Sequence, residues 1–465
     1  VLSIHVFCTA ITTQGPSDSN YIIGGNFIGL RADGSLPASP QLTGINVQGG
    51  NTFIGDGTAA NINVISGNQQ RGIAITALPA LGNAVIRGNL IGTTPAGSAA
   101  LGNGQQGILA VTTGQILGIL IGGNLPDHRN VISGNGQDGI RFECTAISGN
   151  CFNGARVYGN WIGPAADGAP LGNVGNGVNL SAMNFGQVDI GGVSPGQGNV
   201  IAGNGGNGIL ATFGSGRAAI RGNEIFANGM LAIDLAGDGR TANDVGDSDL
   251  GPNGLLNFPL ISNYVLNGPG DGAVIDVLMS TPDAGGNYPA LVEFHLALGD
   301  EPGVWLGSTS CSAPPTPCSA SISFPGGVIL APDDVVLATV TDGFGKSSEA
   351  SFYSSTATIT GDAPDPSTIG VPYTVTVDVL SSEAFAPQGS VDVSDGAGGS
   401  CLLSLARISN GLARGSCALT SAAPVGGRTL SASYAPTSAP QLPFTDSGDT
   451  EAHTVTGVAK PVVTL

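Results

Sequence analysis

The sequence contains little positive charge. Only 14 Lys and Arg residues stand against 33 Asp and Glu residues in a chain of 465, which gives a formal net charge of −19. A surface of this sign repels the phosphate backbone of nucleic acids and anionic membranes. We therefore predict that the protein binds no nucleic acid.

Long apolar runs are also missing, although 41% of the residues are hydrophobic. A membrane-spanning helix needs roughly 18 consecutive apolar residues, and no segment approaches that length. The first residues, VLSIHVFCTA, have neither an initiator Met nor the basic region that begins a signal peptide. We predict no transmembrane segment, and we interpret 1–19 as edge strands of a processed or truncated chain.

The chain has seven cysteines, and no pair of them shows CxxC or Cys/His metal spacing. Six fall into three close pairs within single segments of the sequence: Cys144 with Cys151, Cys311 with Cys318, and Cys401 with Cys417. Local pairs of this kind are typical of disulfides made in an oxidising compartment, and unpaired core thiols are the alternative. The remaining cysteine, Cys8, is compatible with a partner in a missing N-terminal segment, an intermolecular bridge or a buried free thiol.

Short phrases recur through the first half of the chain. One phrase reads GGNFIG at 24–29, RGNLIG at 87–92, YGNWIG at 158–163 and RGNEIF at 221–226, and a second, NVISGN or NVIAGN, occurs at 63–68, 130–135 and 199–204. A Gly followed by Ile or Val also returns at intervals of 28 to 38 residues, from Gly44 to Gly208. Self-similarity at this period, with short β-branched runs, predicts a solenoid.

Each short Ile or Val run would place apolar side chains inward, and the Gly-Asn turns allow positive φ. Rungs stacked about 4.8 Å apart would share one continuous core. We expect two ladders of stacked asparagine amides along the axis. One would contain Asn68, Asn135 and Asn204, and the other Asn26, Asn89, Asn160 and Asn223.

These phrases, with LGN at 101–103 and 171–173 and IGG at 121–123 and 190–192, resemble the right-handed parallel β-helix repeats of the pectin-lyase-like superfamily. The strongest similarity is to its bacterial extracellular type, and it covers residues from about 20 to 257, about half of the chain. The resemblance implies a β-helix over 1–257.

The sequence pattern changes after Asn257, where Asn-Gly phrases disappear and alternating strands rich in Ser and Pro begin. Residues 258–355 end in a phrase similar to that of an Ig-like module that follows such β-helices: Thr341, Asp342, Gly345, Ser347, Ser348 and Glu349. Residues 356–457 resemble bacterial Ig-like repeats, and 458–465 read as a linker or a strand of a further module. The predicted fold class is all-β: a right-handed parallel β-helix solenoid followed by two Ig-like β-sandwich domains.

One acidic segment, 234–257, stands out because it has almost no compensating cations. Oxygen ligands in a Gly-rich loop suit Ca²⁺, so we predict a structural calcium site. The alternative is a turn-rich cap on the last rung, with carboxylates bonded to backbone amides. The candidate ligands are Asp234, Asp238, Asp244, Asp247, Asp249 and Asn253.

The superfamily resemblance implies a search for a polysaccharide lyase or hydrolase site. Lyases of this fold use a basic residue near acidic residues that hold Ca²⁺, and hydrolases use paired carboxylates. The best constellation is Asp138, Arg141 and Glu143, which strand alternation would place on one outer face. The competing interpretation is a solvated ion-pair patch. The motifs NTD, GHG and RIK of polygalacturonases are absent, and the four histidines lie in different segments.

Trp161 is a candidate for stacking on a sugar. It occupies the variable position of the GN phrase, which elsewhere holds Phe27, Leu90 and Glu224, so we expect it to be exposed or to cover a rung.

Taken together, these features favour a secreted or cell-surface structural or adhesive rod. Terminal strands at 1–11 and 458–465 could join subunits head to tail into a filament. The alternatives are a polysaccharide lyase or hydrolase, and a calcium-dependent module that binds extracellular polysaccharide.

Overall fold

The computed structural model describes residues 9–76, 81–144, 151–182, 186–214, 216–281, 286–314, 318–436 and 443–458. Cys8 and most of the two predicted terminal strands lie outside these residues. The chain divides into two compact units. Unit 1 contains Val1–Pro259, Met279–Cys318 and Ala338–Ala350, and unit 2 contains Leu260–Leu278, Ser319–Leu337 and Ser351–Leu465. Segment 258–355, predicted as one module, is thus shared between the two units.

The first part of unit 1 is built from short strands with brief turns between them. In chain order they are β1 (Ile11–Thr13), β2 (Asn20–Ile23), β3 (Phe27–Ile28), β4 (Ile45–Val47), β5 (Gly50–Ile54), β6 (Val64–Ile65), β7 (Ile73–Ile75), β8 (Leu81–Ile86), β9 (Leu90–Ile91), β10 (Ile108–Thr112), β11 (Ile116–Leu117), β12 (Ile119–Gly122), β13 (Val131–Ile132), β14 (Ile140–Cys144), β15 (Phe152–Asn153), β16 (Ala155–Tyr158), β17 (Trp161–Ile162), β18 (Val178–Ala182), β19 (Gln187–Ile190), β20 (Val200–Ala202), β21 (Ile209–Phe213), β22 (Arg217–Ile220), β23 (Glu224–Phe226) and β24 (Ile233–Leu235). Short 3-10 helices occur at Ala59–Asn61, Pro126–His128 and Pro252–Leu255.

These strands form three long parallel sheets, each of which takes one strand from successive rungs. Their orders are β1-β4-β7-β10-β14-β18-β21-β24, β2-β5-β8-β12-β16-β19-β22 and β3-β6-β9-β13-β17-β20-β23, and β11 pairs with β15 in a small parallel sheet. In a parallel β-helix each strand pairs with the strand one rung away, as these do. The predicted all-β solenoid is confirmed.

The solenoid core is a stack of β-branched side chains. Ile45, Ile73, Ile108 and Ile140 occupy equivalent positions in successive rungs, and each is 0% exposed. Val178, Ile209 and Ile233 continue the same column. Because each Ile packs on the one above and the one below, the rungs share one hydrophobic core.

Two asparagine ladders run along this core, as predicted, but their membership differs from the prediction. The first ladder links consecutive side-chain amides through Asn26, Asn63, Asn89, Asn130, Asn160, Asn199 and Asn223. The second ladder runs through Gln41, Asn68, Asn103, Asn135, Asn173, Asn204 and Asn228. The predicted asparagines are therefore every second member, because the two sequence phrases alternate from rung to rung.

The glycine that precedes an asparagine of the GN phrase makes the turn possible. Gly25, Gly88, Gly159 and Gly222 have φ between +61° and +70°. This left-handed region is disfavoured for residues with a Cβ atom, so the Gly-Asn pair is a conformational requirement of the repeat.

The rest of unit 1 is mainly a sheet of β27 (Ala290–Leu298), β28 (Glu301–Cys311) and β30 (Val336–Thr341), in the order β28-β27-β30, with β27 and β28 antiparallel. Of β30, the residues from Ala338 onward belong to unit 1. Unit 2 contains a sheet of β25 (Leu260–Leu266), β26 (Gly272–Leu278) and β29 (Cys318–Ser323), the last from Ser319 onward, and a 3-10 helix at Pro325–Gly327.

Unit 2 also contains two larger sheets. One has the order β31-β33-β37-β36, and the other has the order β32-β39-β38-β34-β35. Their strands are β31 (Ser355–Ala363), β32 (Ser367–Thr368), β33 (Pro372–Ser381), β34 (Ser390–Ser394), β35 (Ser400–Ser404), β36 (Ala406–Ser409), β37 (Leu412–Thr420), β38 (Gly426–Ala435) and β39 (Ser447–Thr456). Buried residues alternate with exposed ones along β33 and β37, as β-sandwich strands require.

The three predicted cysteine pairs form disulfides: Cys144 with Cys151, Cys311 with Cys318, and Cys401 with Cys417. The last of them joins β35 to β37 and thus links the two larger sheets of unit 2. Disulfides persist in oxidising compartments, which indicates a non-cytoplasmic protein. Within the described residues, no helix has the length and apolarity that crossing a bilayer requires.

Candidate functional site

The structure brings Asp138, Arg141 and Glu143 together on unit 1. The Arg141 guanidinium lies 3.6 Å from Asp138 Oδ2 through Nη1 and 3.1 Å from Glu143 Oε2 through Nε. Along β14, Arg141 and Glu143 alternate with the buried Ile140, Phe142 and Cys144. Both charged side chains therefore stand on the outer face of the sheet, as the alternation predicts.

Asp138 is held more firmly than an exposed carboxylate. Its Oδ1 accepts hydrogen bonds from the backbone N–H and the Nδ2 of Asn176, both at 2.8 Å, and its Oδ2 accepts one from Asn179 at 3.0 Å. Asp138 is 5% exposed. These bonds fix the carboxylate in place, and Arg141 is shared between two acidic groups. The arrangement is a rigid polar strip whose charged groups are paired with one another.

The acidic segment begins with Asp234 on β24. The carboxylate of Asp234 is hydrogen-bonded to neighbouring residues. Its Oδ1 accepts the Gly237 N–H at 3.0 Å, and its Oδ2 accepts from Asn207 Nδ2 at 3.1 Å. Burial raises the pKa of this carboxyl. Asp238 is exposed.

Asn253 is the most buried candidate ligand of the segment. Its Oδ1 accepts the Ala218 N–H at 2.8 Å, and its Nδ2 donates to Ala218 O at 2.8 Å and to Ser347 O at 2.7 Å. The side-chain amide thus takes the place of a peptide group beside β22, the last strand of its sheet. This contact corresponds to the capping alternative that the sequence left open.

The other three acidic candidates lie in the loop between Asp238 and Asn253. Asp244 Oδ2 accepts from the Ser248 N–H and hydroxyl at 3.1 and 2.8 Å, and Asp247 Oδ1 accepts the Asn257 N–H at 2.8 Å. Within the described chain, Asp244 Oδ1 and Asp249 Oδ1 are buried atoms without a hydrogen-bond partner. No three carboxylates of the segment meet within 4.8 Å of one another in the described structure. Calcium binding by this loop stays a prediction.

Trp161 is the first residue of β17, an inner strand of the sheet β3-β6-β9-β13-β17-β20-β23, and is half-buried. Its in-register neighbours are Val131 and Val200. The Arg129 guanidinium lies 4.4 Å from the centroid of the Trp161 ring, a cation–π contact. One side of the ring therefore has a protein partner.

The C-terminal end of the solenoid is closed by carboxylates from the following sheet. Glu293 of β27 accepts the Gly222 N–H at 2.7 Å, and Glu301 of β28 accepts the Asn228 N–H at 3.1 Å. Glu349 accepts the N–H groups of Leu235 at 2.8 Å and Thr241 at 2.9 Å. Ser347 Oγ accepts the Ile220 N–H at 2.8 Å. We call Glu293, Glu301, Ser347 and Glu349 the terminal cap.

Burial raises the pKa of Glu293, Glu301 and Glu349 to about 7. The bonds from backbone N–H groups oppose this shift, but the loss of hydration is the larger effect. Burial lowers the pKa of the neighbouring His295 to about 3, so that imidazole is neutral near pH 7.

The terminal cap was missed by sequence reasoning, which assigned the capping role to 234–257 alone. A signal was present: Glu293 lies between Val292 and Phe294 in the strand phrase ALVEFHLAL. A glutamate among apolar residues of a predicted strand needs a buried hydrogen-bond partner.

Unit 2 contains an open cavity of about 770 Å³. Its lining includes Tyr264, Phe385, Arg407 and Ile408. The Arg407 guanidinium donates to Pro332 O and Asn410 Oδ1, both at 2.6 Å. The positively charged group of the cavity is therefore already hydrogen-bonded to the protein.

No protein-family model matches the chain, and no curated protein sequence matches it significantly.

Proposed function

We propose that the protein is a secreted or cell-surface structural and adhesive rod, whose β-helix serves as a subunit of an extracellular filament. The three disulfides and the formal charge of −19 support an extracellular role. The resemblance of the repeat phrases to bacterial extracellular β-helices of the pectin-lyase-like superfamily supports the same proposal.

The observation that carries the proposal is the difference between the two ends of the β-helix. At the C-terminal end, the terminal cap and Asn253 occupy backbone groups of the last rung. At the other end, β1, β2 and β3 each have one strand neighbour among the described residues. Unpaired strand edges are templates for added strands, and a strand from another copy is the occupant we propose.

Thr12 offers a way to test this edge. The N–H of Ile11 donates to Gly44 O and the Thr13 carbonyl accepts from Gln48 N–H, so both of these residues bond to the β4 side. In a parallel strand the next residue points its N–H and C=O to the opposite side. A Thr12→Pro substitution removes the outward N–H and leaves both inward bonds in place.

We expect the wild-type chain and Thr12→Val to form regular polymers in electron microscopy and light scattering, and Thr12→Pro to remain as single particles. Melting curves of the two variants check that both are folded. Dispersed particles of the wild-type chain at all concentrations, or unchanged polymers of Thr12→Pro, would contradict assembly through this edge.

Polysaccharide recognition, with a lyase or hydrolase as its enzymatic form, is the second candidate. The polar strip around Asp138, Arg141 and Glu143 supports it, because buried bonds hold its carboxylate on the outer face of a parallel sheet. Arg141→Ala should weaken binding to acidic polysaccharides and remove any unsaturated-uronate absorbance. Equal binding and absorbance in both proteins would exclude this strip.

A structural Ca²⁺ in the acidic segment is a further part of the proposal. The partnerless oxygens of Asp244 and Asp249 support it. Millimolar calcium should raise the melting temperature of the wild-type chain but not that of Asp244→Asn. A melting curve that chelator leaves unmoved would assign the segment to capping alone.

A further inference from the structure

Three polar side chains from two distant parts of the unit 2 sequence meet at one end of its larger sheets. Asp362 lies near the end of β31, Asp365 follows that strand, and His453 lies on β39. One ligand atom of each lies within 4.8 Å of those of the other two. His453 lies about 90 residues after the two aspartates, which explains why no metal-ligand spacing is visible in the sequence.

His453 has a fixed orientation. Its ring stacks on Tyr373 with 4.2 Å between centroids and 7° between planes, and its side chain is 0% exposed. Nε2 lies 2.8 Å from Ser367 Oγ. Nδ1 therefore faces the two carboxylates, at 2.7 Å from Asp362 Oδ2 and 3.6 Å from Asp365 Oδ1.

Two further acidic residues lie on the strand that carries this imidazole. Asp449 and Glu451 lie on the same inward face of β39 as His453. Asp449 Oδ2 accepts the Ile359 N–H at 2.8 Å, whereas Glu451 Oε2 is a buried atom without a partner among the described residues.

The guanidinium of Arg428, on the neighbouring strand β38, does not neutralise these carboxylates. Arg428 is in register with His453 on β38, but its Nη1 donates to Asp395 Oδ2 at 2.5 Å and its Nη2 to the carbonyls of Ala422 and Pro424. Asp362 and Asp365 thus face one imidazole with no Lys or Arg side chain paired with them in the described structure, and a cation would relieve their mutual repulsion.

We propose that Asp362, Asp365 and His453 form a binding site for a divalent transition metal of the Zn²⁺ type. One imidazole nitrogen and two carboxylate oxygens are ligands that Zn²⁺ takes at about 2.0–2.2 Å. The bond between Nε2 and Ser367 holds the ring, as partners of metal-bound histidines do. Asp365 has a side chain that is 37% exposed, so solvent reaches the site and completes the coordination.

A hydrolytic role for the same residues is disfavoured by burial. The order Ser367, His453, Asp362 is that of a nucleophile, a base and an orienting acid. Ser367 is only 1% exposed, so no substrate carbonyl can reach its Oγ.

The test is a titration of the full chain, free of any histidine tag, with ZnCl₂ in a calorimeter. We expect one equivalent to bind, and Asp362→Asn and Asp365→Asn each to weaken the affinity at least about tenfold. Co²⁺ should give visible absorption bands that Asp365→Asn removes. Asp365→Asn keeps the oxygen that accepts the Thr454 N–H, so the fold should persist, and its metal-free melting curve checks this.

Two matched controls separate this site from adventitious binding. Asp392→Asn removes an exposed carboxylate on β34, and His128→Asn removes an imidazole of unit 1; both should bind like the wild-type chain. No zinc binding by the wild-type chain, or equal affinity in Asp365→Asn, would overturn the proposal. Loss of binding in His128→Asn would do so as well.

Discussion

Glu301 accepts two hydrogen bonds from Asn228, one from the backbone N–H at 3.1 Å and one from Nδ2 at 3.3 Å. Earlier members of the second ladder give the same two bonds to a single oxygen, the Oδ1 of the next asparagine. A carboxylate of a following sheet thus completes a ladder of amides and replaces the rung that would come next.

Glu301→Ala should destabilise unit 1, because it leaves two N–H groups of Asn228 without their acceptor. We expect a loss of about 2–3 kcal/mol in the free energy of unfolding, measured by urea denaturation of the unit 1 transition. Glu301→Gln keeps one acceptor oxygen and should lose less. Glu143→Ala, a control on the outer face, should change stability by no more than about 0.5 kcal/mol. Equal losses for Glu301→Ala and Glu143→Ala would argue against the cap.

The stability of unit 1 should fall as pH rises from about 4.5 to 7. The folded-state pKa of Glu293, Glu301 and Glu349 is about 7, against an ordinary value of 4.5, so the folded protein holds three protons that the unfolded chain releases in this window. This stabilisation is complete below pH 4.5 and is lost as pH passes 7. Burial lowers the pKa of His295 from an ordinary value of 6.5 to about 3, so this residue makes the stability rise with pH below 6.5. It is a single group, whereas three glutamates act in the other direction.

Melting temperatures measured from pH 4.5 to 8.5 check this prediction. Asp234 and Asp342 have pKa values raised by burial and should add to the decline. A variant with Gln at 293, 301 and 349 should show a flatter profile than the wild-type chain. A wild-type melting temperature that rises between pH 5 and 7 would refute the assignment.

Asn135→Ala should be among the most damaging substitutions in the solenoid. Asn135 is 0% exposed; its Oδ1 accepts two bonds from Asn103, and its Nδ2 donates to Asn173 and to the Ile91 carbonyl. Several buried groups would lose their partners, so we expect a loss of about 3 kcal/mol or more in thermal or urea unfolding. Asn153→Ala, at an exposed position on β15, is the control and should have little effect.

Reduction of the Cys401–Cys417 disulfide should destabilise unit 2. The chain-entropy argument for a loop of 16 residues gives about 3 kcal/mol. The double variant Cys401→Ser, Cys417→Ser should melt at a lower temperature than the wild-type chain. Because this variant lacks the disulfide, reductant should cause no further loss of stability at this position. Peptide mapping without reductant should recover the three disulfides, and any other pairing would contradict the structure.

The sequence predicted the solenoid because its repeat is local: a Gly-Asn turn and a short Ile or Val run are read within six residues. Ladder membership is not local. Asn89 contacts Asn63 and Asn130, at separations of 26 and 41 residues, whereas its phrase partners Asn26 and Asn160 are two rungs away. Phrase similarity reports the shape of a turn, and only the rung length determines which turn lies above which.

The terminal cap illustrates a second limit. Ser347 and Glu349 belong to the closing phrase that the sequence identified by resemblance, but their partners Ile220 and Leu235 are 127 and 114 residues earlier. The positions Arg141 and Glu143 were predictable, since alternation along one strand is sufficient to place them. Asp362 and His453 were not, because they meet only after two sheets have formed.

The ladder amides all face the same way. From Asn26 to Asn199 in the first ladder and from Gln41 to Asn204 in the second, each side-chain amide nitrogen donates to the amide oxygen of the following rung. Their dipoles add along the axis, as peptide dipoles do in an α-helix, with the positive pole at the C-terminal rung. The carboxylates of Glu293 and Glu301 lie at that pole. The solenoid therefore has a net dipole along its axis. Two copies that met head to head would bring like poles of this dipole together.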